Sequence, residues 1–211
     1  MTVVCISRDV GAEGETVGRL VAERLGLRYL DEEVITRAAE RGGVDEAQLA
    51  DVEQRKRGIM RILEFLGDAG ALTGVQSPEP PSLRTAREES HRAMIRGVVE
   101  EIADEGNAVI CAHAASMAVA GRDGMLRVLV TASPEVRLDR LTESEGSREK
   151  AAKVIKDGEA GRAAYFKRFY SVDQELPTHY DLVVNTDLLR PEQAAEIIVH
   201  AAGVVDAASA K

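Results

Sequence analysis

The residues best placed to do chemistry lie near the start of the chain. Gly11, Ala12, Glu13, Gly14, Glu15 and Thr16 follow the apolar run Val3-Val4-Cys5-Ile6 and precede a segment with apolar residues at Val17, Leu20, Val21 and Leu25. A glycine turn between a buried strand and a helix presents free backbone N–H groups at the positive end of the helix dipole, a place suited to a phosphate. The complete phosphate-loop pattern ends in Gly-Lys-Ser/Thr. Here Thr16 offers a hydroxyl to a magnesium ion, but no lysine precedes it. Arg8 is the only cation of the segment, beside the anions Asp9, Glu13 and Glu15. Like charges at ~4 Å repel by about 1 kcal/mol in water and by more in a partly buried site. The acids must therefore point outward or hold a cation if a polyphosphate is to bind, and Arg8 is expected to take the missing lysine's role. The competing reading is a turn with no ligand.

The elements that must position this loop alternate in kind. Helical spacing runs from Thr16 to Leu25, with Gly26 as its C-cap. Leu27 to Leu30 reads as a second strand, and Asp31 as the cap of a helix running to about Glu40. Residues 44–69 read as helical pieces, and residues 70–83, with three prolines, as a loop. Thr85 to Glu105 is expected to form a long helix with Met94, Ile95, Val98, Val99 and Ile102 as its core stripe. Ala108–Cys111 and Leu126–Val130 read as strands three and four. Ser133-Pro134-Glu135 is a helix start with Pro at the first helical position. A Lys/Arg-rich helix spans about Arg148 to Phe169, Asp181–Asn185 is a fifth strand, and Pro191–Ala202 is the last helix. Short apolar strands alternating with helices predict an α/β fold, a five-stranded, mainly parallel sheet with helices on both faces. Residues 1–203 are expected to form one domain, with residues 204–211 as a flexible tail.

Composition narrows the chemistry. The net charge is -9 over 211 residues, which argues against a nucleic-acid-binding face. Aromatic residues are 3% of the chain, leaving few platforms for stacking bases. Cys5 and Cys111 sit in apolar runs and read as buried small residues. His91, His113, His179 and His200 lie far apart without metal-ligand spacing, and Ser7 and Ser116 lack a nucleophile-elbow pattern. No export signal or apolar run of membrane-spanning length is visible, so a cytoplasmic location without membrane partners is expected. The helix at residues 55–69 leaves a homodimer open.

In the order of its segments the chain resembles the cytidylate kinase-like family. Ile6-Ser7-Arg8-Asp9-Val10-Gly11 through Gly14 is similar to that family's opening, a Ser-Arg followed by a glycine loop without the standard lysine. Arg24-Leu25-Gly26 with Tyr29-Leu30-Asp31, and Gly106 to Ile110, resemble its first helix end and its second and third strands. The most specific likeness is C-terminal. Arg162 to Asp173 resembles the lid helix and following turn, and His179 to Asp187 resembles the last strand.

The resemblance implies a P-loop kinase fold with a helical acceptor-side insert at about residues 44–90 and a lid at about residues 145–175. It implies phosphoryl transfer from ATP, with magnesium, to a nucleoside monophosphate or related small molecule. By the same resemblance Arg8, Arg162 and Arg168 would act on the transferred group. Gly11, Ala12, Glu13, Gly14, Glu15 and Thr16 would hold the nucleotide, with Thr16 on the metal. Asp31, Arg37 and His113 would face the acceptor. Some positions depart from the family's pattern: Ala112-His113 stands for its Gly-Arg, Gln174 for a tryptophan and Glu32 for a serine. With Glu13 and Glu15, these changes remove positive charge from the site. A catalytically impaired nucleotide-binding or regulatory protein of the same fold is the alternative expectation.

Overall fold

The computed structural model describes residues 2–31, 35, 81–112 and 114–209. Among them the chain forms five strands: β1 (Val3–Arg8), β2 (Arg28–Asp31), β3 (Ala108–Cys111), β4 (Met125–Thr131) and β5 (Leu182–Asn185). The sheet order is β2-β3-β1-β4-β5, and every pairing is parallel. The helices are α1 (Gly14–Leu25), α2 (Pro81–Glu105), α3 (Ala115–Ala118), α4 (Pro134–Glu145), α5 (Arg148–Tyr170) and α6 (Pro191–Ser209).

A parallel sheet covered on both faces needs strands without a polar side. β1 shows this: Val3 and Cys5 enter one core cluster with Ile95, Val98, Val99 and Ile102 of α2. Val4 and Ile6 enter the other, with Val17 and Val21 of α1 and Ala194, Ala195 and Ile198 of α6. The period-2 alternation thus feeds two cores instead of one core and solvent. Each fully buried Val or Ile contributes about 1.5–3 kcal/mol. The β1–α1 loop therefore rises from the centre of the sheet, between β3 and β4, on a strand fixed from both sides.

Several expected boundaries move. Helix α1 begins at Gly14, two residues earlier than the apolar spacing indicated, because the polar Glu15 and Thr16 lie in its first turn. Helix α2 takes in residues 81–84, three of which were expected to close the preceding loop; its Pro81 occupies a first-turn position that requires no N–H. Met94 leaves the predicted core stripe and is 44% exposed, while Ile95, Val98, Val99 and Ile102 stay buried. Helix α6 continues to Ser209 instead of ending at Ala202, and Val205 packs against the second core. The expected pieces at residues 44–69, most of the loop at 70–83 and the helix to Glu40, apart from a helical, buried Ile35, lie outside the described residues. Among those described, no helix is long and apolar enough to cross a membrane.

Candidate functional site

The loop after β1 is held from below by backbone bonds. The Asp9 N–H donates to the Val130 carbonyl at 3.0 Å, and the Ala12 N–H donates to the Asp9 carbonyl at 3.1 Å. Gly11 and Glu13 both take left-handed backbone angles, with φ of 84° and 61°. A glycine does this freely, whereas a residue with a Cβ pays of order 1 kcal/mol. Gly11 is also sterically committed: a Cβ there would lie 3.0 Å from the Arg137 carbonyl oxygen. At Gly14 a Cβ would approach the Arg8 Cβ to 2.4 Å, so the first turn of α1 lies directly against Arg8. Glu13 stands at the N-cap of α1 but makes no side-chain capping bond. The first-turn N–H groups, which have no intrahelical partner, are thus left uncapped by the residue that usually serves them.

Four arginines surround this loop. Arg8 ends β1, with Nη1 donating to the Cys111 carbonyl at 3.3 Å. Arg137 and Arg140 come from α4, whose N-cap Ser133 receives its own support as the Ser133 N–H donates to Asp187 at 2.7 Å. Arg137 donates to the Val10 carbonyl at 3.4 Å. Arg140 donates to the Gly11 carbonyl at 3.4 Å, the Thr186 hydroxyl at 3.0 Å and the Thr186 carbonyl at 2.6 Å. Arg162, on α5, lines a cavity of about 250 Å³ together with Asp9, Glu159, Phe166 and Glu175.

Each of the four meets a carboxylate of the same chain. Arg8 pairs with Glu15 at 2.6 Å, Arg140 with Glu13 at 3.4 Å, Arg137 with Glu159 at 2.7 Å and Arg162 with Glu175 at 2.7 Å. Of the segment's acids, Glu13 and Glu15 therefore hold cations supplied by the protein, one of the two conditions under which they would tolerate a polyphosphate, while Asp9 accepts from the Thr131 hydroxyl.

Arg162 meets several partners at once. Its Nε and Nη2 each donate to Glu175 at 2.7 Å, Nη2 also donates to the Tyr180 hydroxyl at 3.2 Å, and the guanidinium lies 4.8 Å from the centre of the Phe166 ring. Tyr180 in turn donates to Glu175. Burial alone would raise the Glu175 pKa, but the hydrogen bond and charge of Arg162 outweigh it and hold this carboxyl below its usual range. Burial first, and the bond to Glu175, push the Tyr180 phenol up to about 12. Nearby, Ser7 of β1 and Ser116 of α3 share a buried hydrogen bond of 2.8 Å.

Of the other expected site residues, Thr16 is exposed on the first turn of α1. Asp31 closes β2, 3.8 Å from Arg19. Arg168 stacks on Phe169 at 5.5 Å in the last turn of α5 and is not among the side chains lining the cavity. Arg37 and His113 lie outside the described residues. Arg137, Arg140, Glu175 and Tyr180 were not singled out from sequence. A signal for the first two exists: they sit three residues apart on the helix opened by Ser133-Pro134, hence on one face. For Thr131, whose hydroxyl donates to Asp9 at 2.6 Å across 122 residues, the sequence carries no signal.

Comparison with known proteins agrees with this architecture. Solved structures sharing the fold include an uncharacterized protein from Eubacterium ventriosum, with a TM-score of 0.60 at 15% identity over 96% of this chain and 99% of that one. Another is the shikimate kinase of Bacteroides thetaiotaomicron, with a TM-score of 0.53 at 16% identity over 95% and 97%. Among curated proteins, the cytidylate kinase of Ignicoccus hospitalis is 31% identical over 94% of this chain and 97% of its own length. The cytidylate kinase of Archaeoglobus fulgidus is 26% identical over 95% and 94%. The sequence profile of the cytidylate kinase-like family matches residues 3–188, from β1 to just past β5. With a parallel sheet that sets a glycine loop among arginines, this match over most of its length makes the chain a member of the cytidylate kinase-like family.

Proposed function

We propose that the protein transfers a phosphoryl group from ATP to a nucleoside monophosphate or a related small molecule. The observation that carries this reading is the set of arginines at the loop before an uncapped helix, Arg8, Arg137 and Arg140, with Arg162 facing Asp9 across the adjoining cavity. Phosphoryl transfer requires little covalent chemistry of a protein; it requires positioning and neutralisation of charge spread over the phosphoryl oxygens. In this reading the backbone N–H groups of residues 12–16 hold the donor phosphates, and Arg8 stands in for the absent lysine. Arg162, and Arg168 on lid closure, would meet the transferred group. Asp31, Arg37 and His113 belong to the acceptor side, with the insert at residues 44–90.

The fit to magnesium rests on Thr16, an exposed hydroxyl on the first turn of α1. Magnesium keeps several waters and needs few protein ligands beside phosphate oxygens, so one hydroxyl suffices. When bound, the ion offsets charge on the phosphate oxygens. The same reading makes the protein a cytoplasmic, small-molecule enzyme that does not act on nucleic acid.

A panel of nucleoside monophosphates, each with ATP and magnesium, tests the proposal by phosphoryl transfer and by thermal shift. Transfer to at least one acceptor is expected, with Arg8→Ala lowering nucleotide affinity; unchanged affinity in that variant removes Arg8 from the role. The second reading, binding without turnover, is favoured by the pairing of Arg8 and Arg140 with Glu15 and Glu13. A thermal shift without transfer selects it.

A further inference from the structure

The first residues of the loop are gripped by two helices. Gly11 lies against α4, where an added Cβ would meet the Arg137 carbonyl oxygen at 3.0 Å and the Leu141 Cδ1 at 3.1 Å. Its neighbour Val10 lies against α5, at Gly158: an added Cβ there would stand 2.7 Å from the Val10 Cγ2, closer than side chains pack. Val10 is β-branched and stiff, so it has little room to turn aside. Helix α5 comes this near to the loop because residue 158 has no side chain. Inside a helix glycine is less favourable than alanine, so local helix preference does not account for Gly158. Ala151, Gly158, Arg162 and Phe166 follow one face of α5, and Ala151 and Phe166 are buried. The neighbouring Glu159 holds Arg137, which donates to the Val10 carbonyl. One turn beyond Gly158, Arg162 lines the cavity together with Asp9, the residue before Val10.

We infer that Gly158 is a positioning residue: its contact with Val10 sets the distance of α5 from the loop and so places Arg162 opposite Asp9. The partners of Arg162, Glu175 and Tyr180, lie beyond the end of α5, so a shift of the helix strains the bonds that Arg162 makes to them. The catalytic consequence rests on the phosphoryl-transfer reading. A misplacement of about 1 Å can cost roughly a hundredfold in rate. A methyl group at residue 158 moves α5 by less than that.

Gly158→Ala tests the inference in the full chain, since alanine suits a helix interior and the fold should survive. Val10→Ala added to it removes the clashing Cγ2 and should let α5 return. Gly203→Ala makes the same change within α6, where nothing lies within 4 Å, and serves as control. Two readouts are compared. One is the NMR signal of the Arg162 Nε–H, assigned by its loss in Arg162→Lys. The other is steady-state phosphoryl transfer from magnesium-ATP to each nucleoside monophosphate of the panel. Gly158→Ala is expected to shift the Arg162 signal and to lower kcat roughly tenfold, with KM for ATP changed less than about twofold. Val10→Ala in the same chain should restore the signal and most of kcat, and Gly203→Ala should alter neither. If the signal moves and is restored while no form, the parent included, transfers phosphate, the placement by Gly158 stands and the phosphoryl-transfer reading falls. An unmoved Arg162 signal in Gly158→Ala, an equal effect of Gly203→Ala, no recovery with Val10→Ala, or an unchanged kcat in an active enzyme would overturn the inference.

Discussion

Arg162 on α5 and Arg8 at the end of β1 each meet a glutamate of their own chain, yet the two meetings differ in kind. Arg162 grips Glu175 through two nitrogens, with Tyr180 bonded to both partners and Phe166 beneath the guanidinium. Arg8 touches Glu15 through one oxygen, and of the two acids Glu15 is the more exposed. Planar two-point pairing in a partly buried place is rigid and costly to break, whereas a single-point pair near solvent is exchangeable. Arg162 is thus held by several partners at once, while the Arg8–Glu15 contact is a single-point pair. Arg140 lies between them: its bonds to Thr186 anchor it, while its glutamate is replaceable.

The comparison breaks most visibly at the Arg162–Glu175 pair. Glu175→Gln leaves Arg162 partly buried without its counter-charge, and a loss of about 2–3 kcal/mol is expected in chemical denaturation. A loss below about 0.5 kcal/mol would place this pair with ordinary surface pairs. Acid should erase the difference. The folded-state pKa of Glu175 is held below its usual 4.5, so the ionised carboxyl stabilises the fold above that value. That contribution is lost as pH falls through the depressed value, and the melting temperatures of parent and Glu175→Gln should converge as the carboxyl becomes protonated in the folded state. In the loop, Gly14→Ala drives a Cβ into Arg8 and should cost about 1–3 kcal/mol. Glu15→Gln should change stability least, by under about 1 kcal/mol, since the Glu15 side chain is 36% exposed and pairs through one oxygen. A large destabilisation by Glu15→Gln would make the Arg8–Glu15 pair as structural as the Arg162–Glu175 pair.

The positions of the strands were legible because each is a short apolar run and a doubly covered parallel sheet needs such runs. The strand that carries the loop and the glycines that shape it could be read from local order, whereas Arg162 came only from the family resemblance. Met94 misled because helical spacing alone does not tell how wide the covered stripe is. The end of α6 misled because Val204 and Val205 follow Gly203, which reads as a stop although the helix passes through it. Of the site, Arg8, Glu13 and Glu15 were visible as charges whose conflict was plain, but not the partners that resolve it.

The sequence by itself determined which residues could serve a phosphate: local order alone makes a strand, a glycine turn and a helix start, and family likeness follows from the same order. Only the tertiary structure decided what those charges do. Arg140 lies 127 residues beyond Glu13, and Tyr180 18 residues beyond Arg162. Contacts of that kind arise where parallel strands bring their carboxyl ends to one edge of the sheet, and no local pattern encodes them.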